Sequence, residues 1–194
     1  MFIWLKCVNQ FDKRRLILLA VLFGAVLSAC TVIEKSGRNL FESTETWILL
    51  PFQNYSGTPR AGDKVEEILA TLLRSRGFDN LQVYQYQYQY QYQNEKAENW
   101  PILDERGNQN DAMNWARQHN FTYGITGNVE EWQYKTGVGG EPAVGLSIRI
   151  IEITSGKVVW STTGAKSGWS AETVTGTAQK LINNLLSNLE IKKI

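Results

Sequence analysis

The sequence predicts one α/β domain of three layers, a mixed sheet with helices packed on it, in the order β-α-β-α-β-β-β-α. Three observations predict it. Trp47-Ile48-Leu49-Leu50-Pro51-Phe52 is a short, continuously apolar run of the kind that forms a central strand covered on both faces. Apolar residues at 61, 65, 68, 69, 72 and 73 form a stripe at the 3.6-residue period of a helix. Tyr123, Ile125, Gly127 and Val129, then Val144, Leu146, Ile148 and Ile150, alternate with polar residues as strands do.

Taken in order, the chain begins with an address. Lys6, Lys13, Arg14 and Arg15 precede an uninterrupted apolar run from Leu16 to Val26, which ends in Leu27-Ser28-Ala29-Cys30. Eleven residues rise only about 16 Å as a helix, short of the ~30 Å hydrocarbon layer, so residues 1–29 read as a secretory signal peptide. Removing them takes away four basic residues and Asp12, which leaves 16 basic and 18 acidic residues and a net charge of −2. Residues 30–45 mix charged and small polar residues with few apolar ones, which reads as a tether, and residues 46–194 read as the folded domain.

Within that domain, Gln53 to Pro59 is a turn. The helix after it has Asp63, Glu66 and Glu67 early, Arg74 and Arg76 late, and Gly77 as its stop. Leu81 to Tyr84 reads as a second strand and runs into five consecutive Tyr-Gln pairs, residues 84–93, the one low-complexity stretch. Asp111 is placed to cap a short helix whose Ala112, Trp115, Ala116 and His119 share a side. The two alternating strands follow, and Thr154-Ser155-Gly156-Lys157 turns into Val158-Val159-Trp160. Ser170 can cap the last helix, whose stripe is Val174, Ala178, Leu181, Ile182, Leu185 and Leu189, with Lys192 and Lys193 at its carboxyl end.

Composition narrows the function. The 194 residues are 43% hydrophobic and 20% charged with a net charge of +1, which excludes a disordered chain, a coiled coil and a polytopic membrane protein. Twenty basic residues against nineteen acidic ones, with no basic cluster past position 15, leave no footprint for nucleic acid. Two cysteines, Cys7 and Cys30, and the single His119 are too few for a zinc site of the usual ligands or a disulfide scaffold, and no cofactor motif is present. No catalytic signature is present either: no Gly-x-Ser-x-Gly, no second histidine, and Glu130 and Glu131, as neighbours on a strand, point apart.

Two resemblances add to this reading. Leu27-Ser28-Ala29-Cys30 resembles the lipobox of bacterial lipoproteins, which implies that Cys30 becomes the first mature residue and carries the acyl chains, palmitate among them. The residue after it, Thr31, is not Asp, and in enteric-type sorting that implies the outer membrane. Leu50-Pro51-Phe52-Gln53-Asn54-Tyr55-Ser56-Gly57 with the helix after it, and Tyr123-Gly124-Ile125-Thr126-Gly127-Asn128-Val129 with Ile150 to Trp160, resemble the periplasmic domain shared by three groups. These are the curli secretion lipoproteins, the amino-terminal domain of TolB and the PelC-type lipoproteins of Pel polysaccharide export, and the likeness covers about residues 46–190. The connections at 53–60 and 135–142 are too short for the membrane-inserting strands of a curli-type channel, and a PelC-type protein fits best.

That resemblance implies a non-enzymatic lipoprotein on the periplasmic face of the outer membrane, in a dodecameric ring beside the Pel export porin. An acidic inner surface would guide a cationic exopolysaccharide during biofilm formation. Asp104, Glu105 and Asp111, in the polar stretch around the second helix, are the acidic candidates; the alternative is a solvated loop and a helix cap. Trp132, Tyr134 and Trp169 are candidates for the membrane interface, and a bulge returning Trp132 and Tyr134 to the core is the competing reading. A second class of function is a lipoprotein that binds and activates a peptidoglycan synthase. That role needs a long tether, and residues 31–45 span at most about 50 Å.

Overall fold

The computed structural model describes residues 31–37, 40–84, 105–136 and 140–192. The predicted order appears as β3 (Trp47–Leu49), α1 (Ala61–Ser75), β5 (Leu81–Val83), α2 (Glu105–Gln118), β6 (Tyr123–Tyr134), β7 (Pro142–Glu152), β8 (Val158–Ser167) and α3 (Val174–Leu185). Added to it are β1 (Thr31–Gly37), β2 (Leu40–Glu42), the short β4 (Gln53–Asn54), and β9 (Glu190–Lys192) beyond a 3-10 turn. The main sheet runs β1-β8-β7-β6-β3-β5, with β4 alongside β6, and β2 pairs with β9 in a small parallel sheet.

Helices α1 and α3 cover one face. Val65, Leu69 and Leu73 of α1 and Ala178, Leu181, Ile182 and Leu185 of α3 bury themselves against Leu49, Ile125, Leu146, Ile148 and Ile150. On the second face, Ala112 and Ala116 of α2 close over Ile48, Leu50, Phe121 and Ile153. Sandwiched this way, β3 is buried at all three positions, which is why its sequence is a continuous apolar run. Gly77, at φ +95°, ends α1 in the left-handed region that a Cβ disfavours.

The tether expected over residues 30–45 is corrected. Every residue from Thr31 to Gly37 pairs antiparallel with β8, in an unbroken register from Thr31 opposite Lys166 to Gly37 opposite Trp160. Ile33 packs against the core, and Phe41 is 1% exposed, edge-on to Trp47 and Tyr123 at ring-centroid distances of 5.2 Å. Composition hid this because an edge strand needs only alternate apolar residues, and β-branched Thr31-Val32-Ile33 was the signal.

Two cap assignments also change. Thr173, not Ser170, caps α3, its hydroxyl accepting from the Gly176 N–H at 3.0 Å. The chain turns away before Lys192 can reach the other end of α3, because β9 pairs there with β2. Two cations from elsewhere serve the α3 carboxyl end. Arg76 donates to the carbonyl oxygens of Leu186 at 2.8 Å and Asn183 at 3.2 Å, and Lys35 donates to that of Asn184 at 3.0 Å. Burial and the neighbouring Arg76 charge lower the Lys35 pKa.

Candidate functional site

The region that α2 leaves uncovered on the second face is a polar floor. Residues paired across neighbouring strands point to the same side of a sheet, so Gln53, Asn128, Ser147, Thr163 and Glu34 form one polar row across five strands. Arg149 stands on the same floor, its Nη2 donating to Asn128 Oδ1 at 3.2 Å. A chain of hydrogen bonds fixes α2 beside it. Tyr55 Oη donates to Gln53 Oε1 at 2.6 Å, Gln53 Nε2 to Gln109 Oε1 at 3.0 Å, Gln109 Nε2 to Thr126 Oγ1 at 2.7 Å, and Thr126 Oγ1 to the Pro51 carbonyl at 2.8 Å. Thr126 is fully buried, so this chain satisfies its hydroxyl and ties β4, α2 and β6 together.

Glu130 and Glu131 do not point apart. The β6–β7 register shifts between Val129 and Glu131, a bulge that puts one extra residue on β6. Both glutamate Cβ atoms lie within 3.5 Å of where a Cβ on Gly145 would stand, so both carboxylates leave from the same side, over the space Gly145 leaves open. Gln133 Nε2 donates to Glu131 Oε1 at 3.1 Å. The Tyr55 N–H donates to the Val129 carbonyl at 2.8 Å, one residue before this pair, and its half-exposed side chain reaches back to Gln53. Strand alternation concealed the pair, and no residue in the sequence announces the bulge.

The sequence-predicted acidic candidates fare differently. Asp111 is exposed but lies in the interior of α2, which starts six residues earlier at Glu105, so it caps nothing. Cys30, Asp104 and the Tyr-Gln pairs after Tyr84 lie outside the described residues. His119 is exposed, stacked on Trp115 at a ring-centroid distance of 3.8 Å, with Nδ1 2.8 Å from the Trp115 carbonyl. No group of three metal-ligating side chains occurs among the described residues.

Of the interface candidates, Trp132 is corrected: it is 3% exposed. The bulge resets the alternation and turns it to the core face opposite Val144. Tyr134, two residues on, passes the end of the core and is 51% exposed, and Trp169 is 50% exposed. The pairs Thr31 with Lys166, Lys166 with Val144, and Tyr134 with Pro142, and the 2.8 Å bond from the Gly168 N–H to the Pro142 carbonyl, bring both aromatics to the end where β1 begins. Close by, the Lys180 ammonium, 2.8 Å from Glu172 Oε1, holds the Glu172 carboxyl below its usual value. The Lys180 charge, the Thr177 hydroxyl and Lys166 add to this, and desolvation opposes it.

The dodecameric PelC of Paraburkholderia phytofirmans superposes with a TM-score of 0.67 at 31% identity, covering 84% of this chain and 99% of that one. The chain belongs to the PelC family. A Leu-to-Met variant of that PelC dodecamer matches at 34% identity and a TM-score of 0.64, covering 82% of this chain and 98% of that one. Lipoprotein GNA1162 of Neisseria meningitidis matches at 14% identity and a TM-score of 0.49, covering 74% of this chain and 96% of that one. No family model and no curated protein matches the sequence. As a PelC family member the chain has 7 tryptophans and 8 tyrosines, and the Tyr-Gln run holds five of those tyrosines.

Proposed function

We propose that this PelC family protein is an outer-membrane lipoprotein of a Pel-type exopolysaccharide export apparatus. It is anchored through Cys30, assembles into a ring, and guides a cationic polymer toward the export porin without catalysing a reaction. The observation that carries the reading is the likeness to a PelC dodecamer over 99% of that chain at 31% identity. The polar floor supports it. Repeated around a ring, the Glu130–Glu131 pair, with Asp104, Glu105 and Asp111, makes a concentrated negative field that a partly deacetylated amino-sugar polymer would feel. Tyr134 and Trp169, at the end of the sheet where the chain arrives from Cys30, suit the lipid headgroup layer. Activation of a peptidoglycan synthase is the less favoured reading, because Thr31 is already paired in the sheet and leaves no tether to extend the domain's reach.

Deleting the gene in its native host and measuring secreted cationic polysaccharide tests this reading. Export should fall with the deletion and return with the wild-type copy. Cys30→Ala should give little rescue, and the protein should leave the outer-membrane fraction, because more than one acyl chain at about 0.8 kcal/mol per buried CH₂ makes anchoring effectively permanent. Unchanged export in the deletion strain would overturn the assignment.

A further inference from the structure

The main sheet ends in two strands of opposite direction. β5 runs parallel to β3, and β3 parallel to β6, whereas β7, β8 and β1 reverse direction in turn, so β1 runs opposite to β5. Among the described residues, neither strand has a partner on its outer side. β1 is seven residues long, pairs with β8 without a bulge and contains no proline; its charged residues are Glu34 and Lys35, and Lys35 is held by the Asn184 carbonyl of its own α3, so the edge is only lightly blunted.

We propose that protomers join edge to edge, the outer side of β1 in one copy pairing antiparallel with the outer side of β5 in the next. This contact rests on the ring reading and names the surfaces that build it. A copy moved sideways without being turned over brings its β5 against β1 with antiparallel polarity, and the faces also match. Val32, Glu34 and Ser36 share the face of Thr163 and Ser147, and Gln82 shares the face of Ile48 and Gly124, the same side of the sheet. Such a contact is heterologous: each copy keeps one free edge, so the assembly can grow until it closes. It also keeps every Thr31, and with it every anchor, at the same end. Antiparallel pairing of β1 with a second β1 would instead set the two Thr31 residues at opposite ends, about 20 Å apart, and would stop at a dimer.

Three residues of β5 give a short ladder, so the contact is weak between free domains. Anchoring all copies in one membrane raises their effective concentration and makes up for this. Intermolecular disulfide trapping of the full-length lipoprotein in its own membranes tests the contact, with the lipidated Cys30 leaving no competing thiol. Val32→Cys, Glu34→Cys and Ser36→Cys are each combined with Gln82→Cys, all at exposed positions, and the register of the contact selects which pair reacts.

After mild oxidation, at least one double variant should give a ladder of dimers, trimers and larger species, and none of the four single variants should cross-link. A dimer from Glu34→Cys alone would mean that β1 meets β1, and would overturn the proposal. An amine-reactive cross-linker on the same membranes separates the two levels. A ladder there without any cysteine ladder leaves the ring standing and rejects the edge contact, whereas monomers in both experiments reject the ring itself.

Discussion

Thr31 lies directly opposite Lys166 in the antiparallel register of β1 and β8, so the residue that follows Cys30 is already part of the sheet. Under the proposed anchoring at Cys30, the domain has no slack at its attachment point. The same proposal has the sheet itself set the orientation to the membrane, and the half-exposed Tyr134 and Trp169 stand at the end where β1 begins.

Phe41 tests whether the segment after the anchor belongs to the folded unit. Its ring meets Trp47 and Tyr123 and is buried, so Phe41→Ala should cost about 3–5 kcal/mol. Urea denaturation of the soluble domain measures this, and a midpoint unchanged from the parent would mean that residues 31–45 behave as a tether after all.

Arg76 serves two carbonyl oxygens and the Asn183 side chain from one guanidinium. Arg76→Ala should cost roughly 1–3 kcal/mol, in the range for hydrogen bonds to a charged group. Lys in its place should recover only part, because a single ammonium cannot reproduce the planar fork. Thermal unfolding of the three proteins should rank them Arg, Lys, Ala.

The Glu172 pKa is lowered in the folded state, mainly by the hydrogen bond from Lys180. A depressed carboxylate contributes stability that is present above its unfolded pKa and is lost as pH falls through the folded one. Glu172→Gln should therefore be less stable than the parent at neutral pH, and the two should converge under acid conditions. Parallel unfolding curves between neutral and acid pH measure the difference, and a gap that stays constant would show that the carboxylate charge plays no part.

Neutralising the bulge pair with Glu130→Gln and Glu131→Gln should weaken retention of a cationic amino-sugar polymer. Two surface charges, Glu130 exposed and Glu131 half-buried, at about 0.2–1 kcal/mol each give a few-fold to roughly 30-fold loss at low salt. The loss should shrink as salt is added, since exposed charges are screened over about 10 Å at 0.1 M. Asp104→Asn, Glu105→Gln and Asp111→Asn, made together, give the comparison. Polymer binding that is insensitive to both sets, with circular dichroism intact, would remove charge guidance from these five residues.

The sequence by itself determined the domain order from β3 to α3, the two amphipathic helices and the core strands, because periods of 3.6 and 2 record which side of an element is buried. It also carried the family likeness in Leu50 to Gly57 and Tyr123 to Val129. Tertiary structure alone decided the rest. Phe41 is core because Trp47 and Tyr123 wait for it, and β1 is a strand because β8 offers it an edge. Glu130 and Glu131 share a side because one extra residue in β6 is accommodated opposite Gly145, and the same bulge sends Trp132 inward while Tyr134 runs past the end of the core. Local periodicity reports only what a segment does against a uniform neighbour. A bulge, an edge pairing or a cap borrowed from a distant arginine depends on which particular residue stands across from it, and only the folded chain brings those residues together.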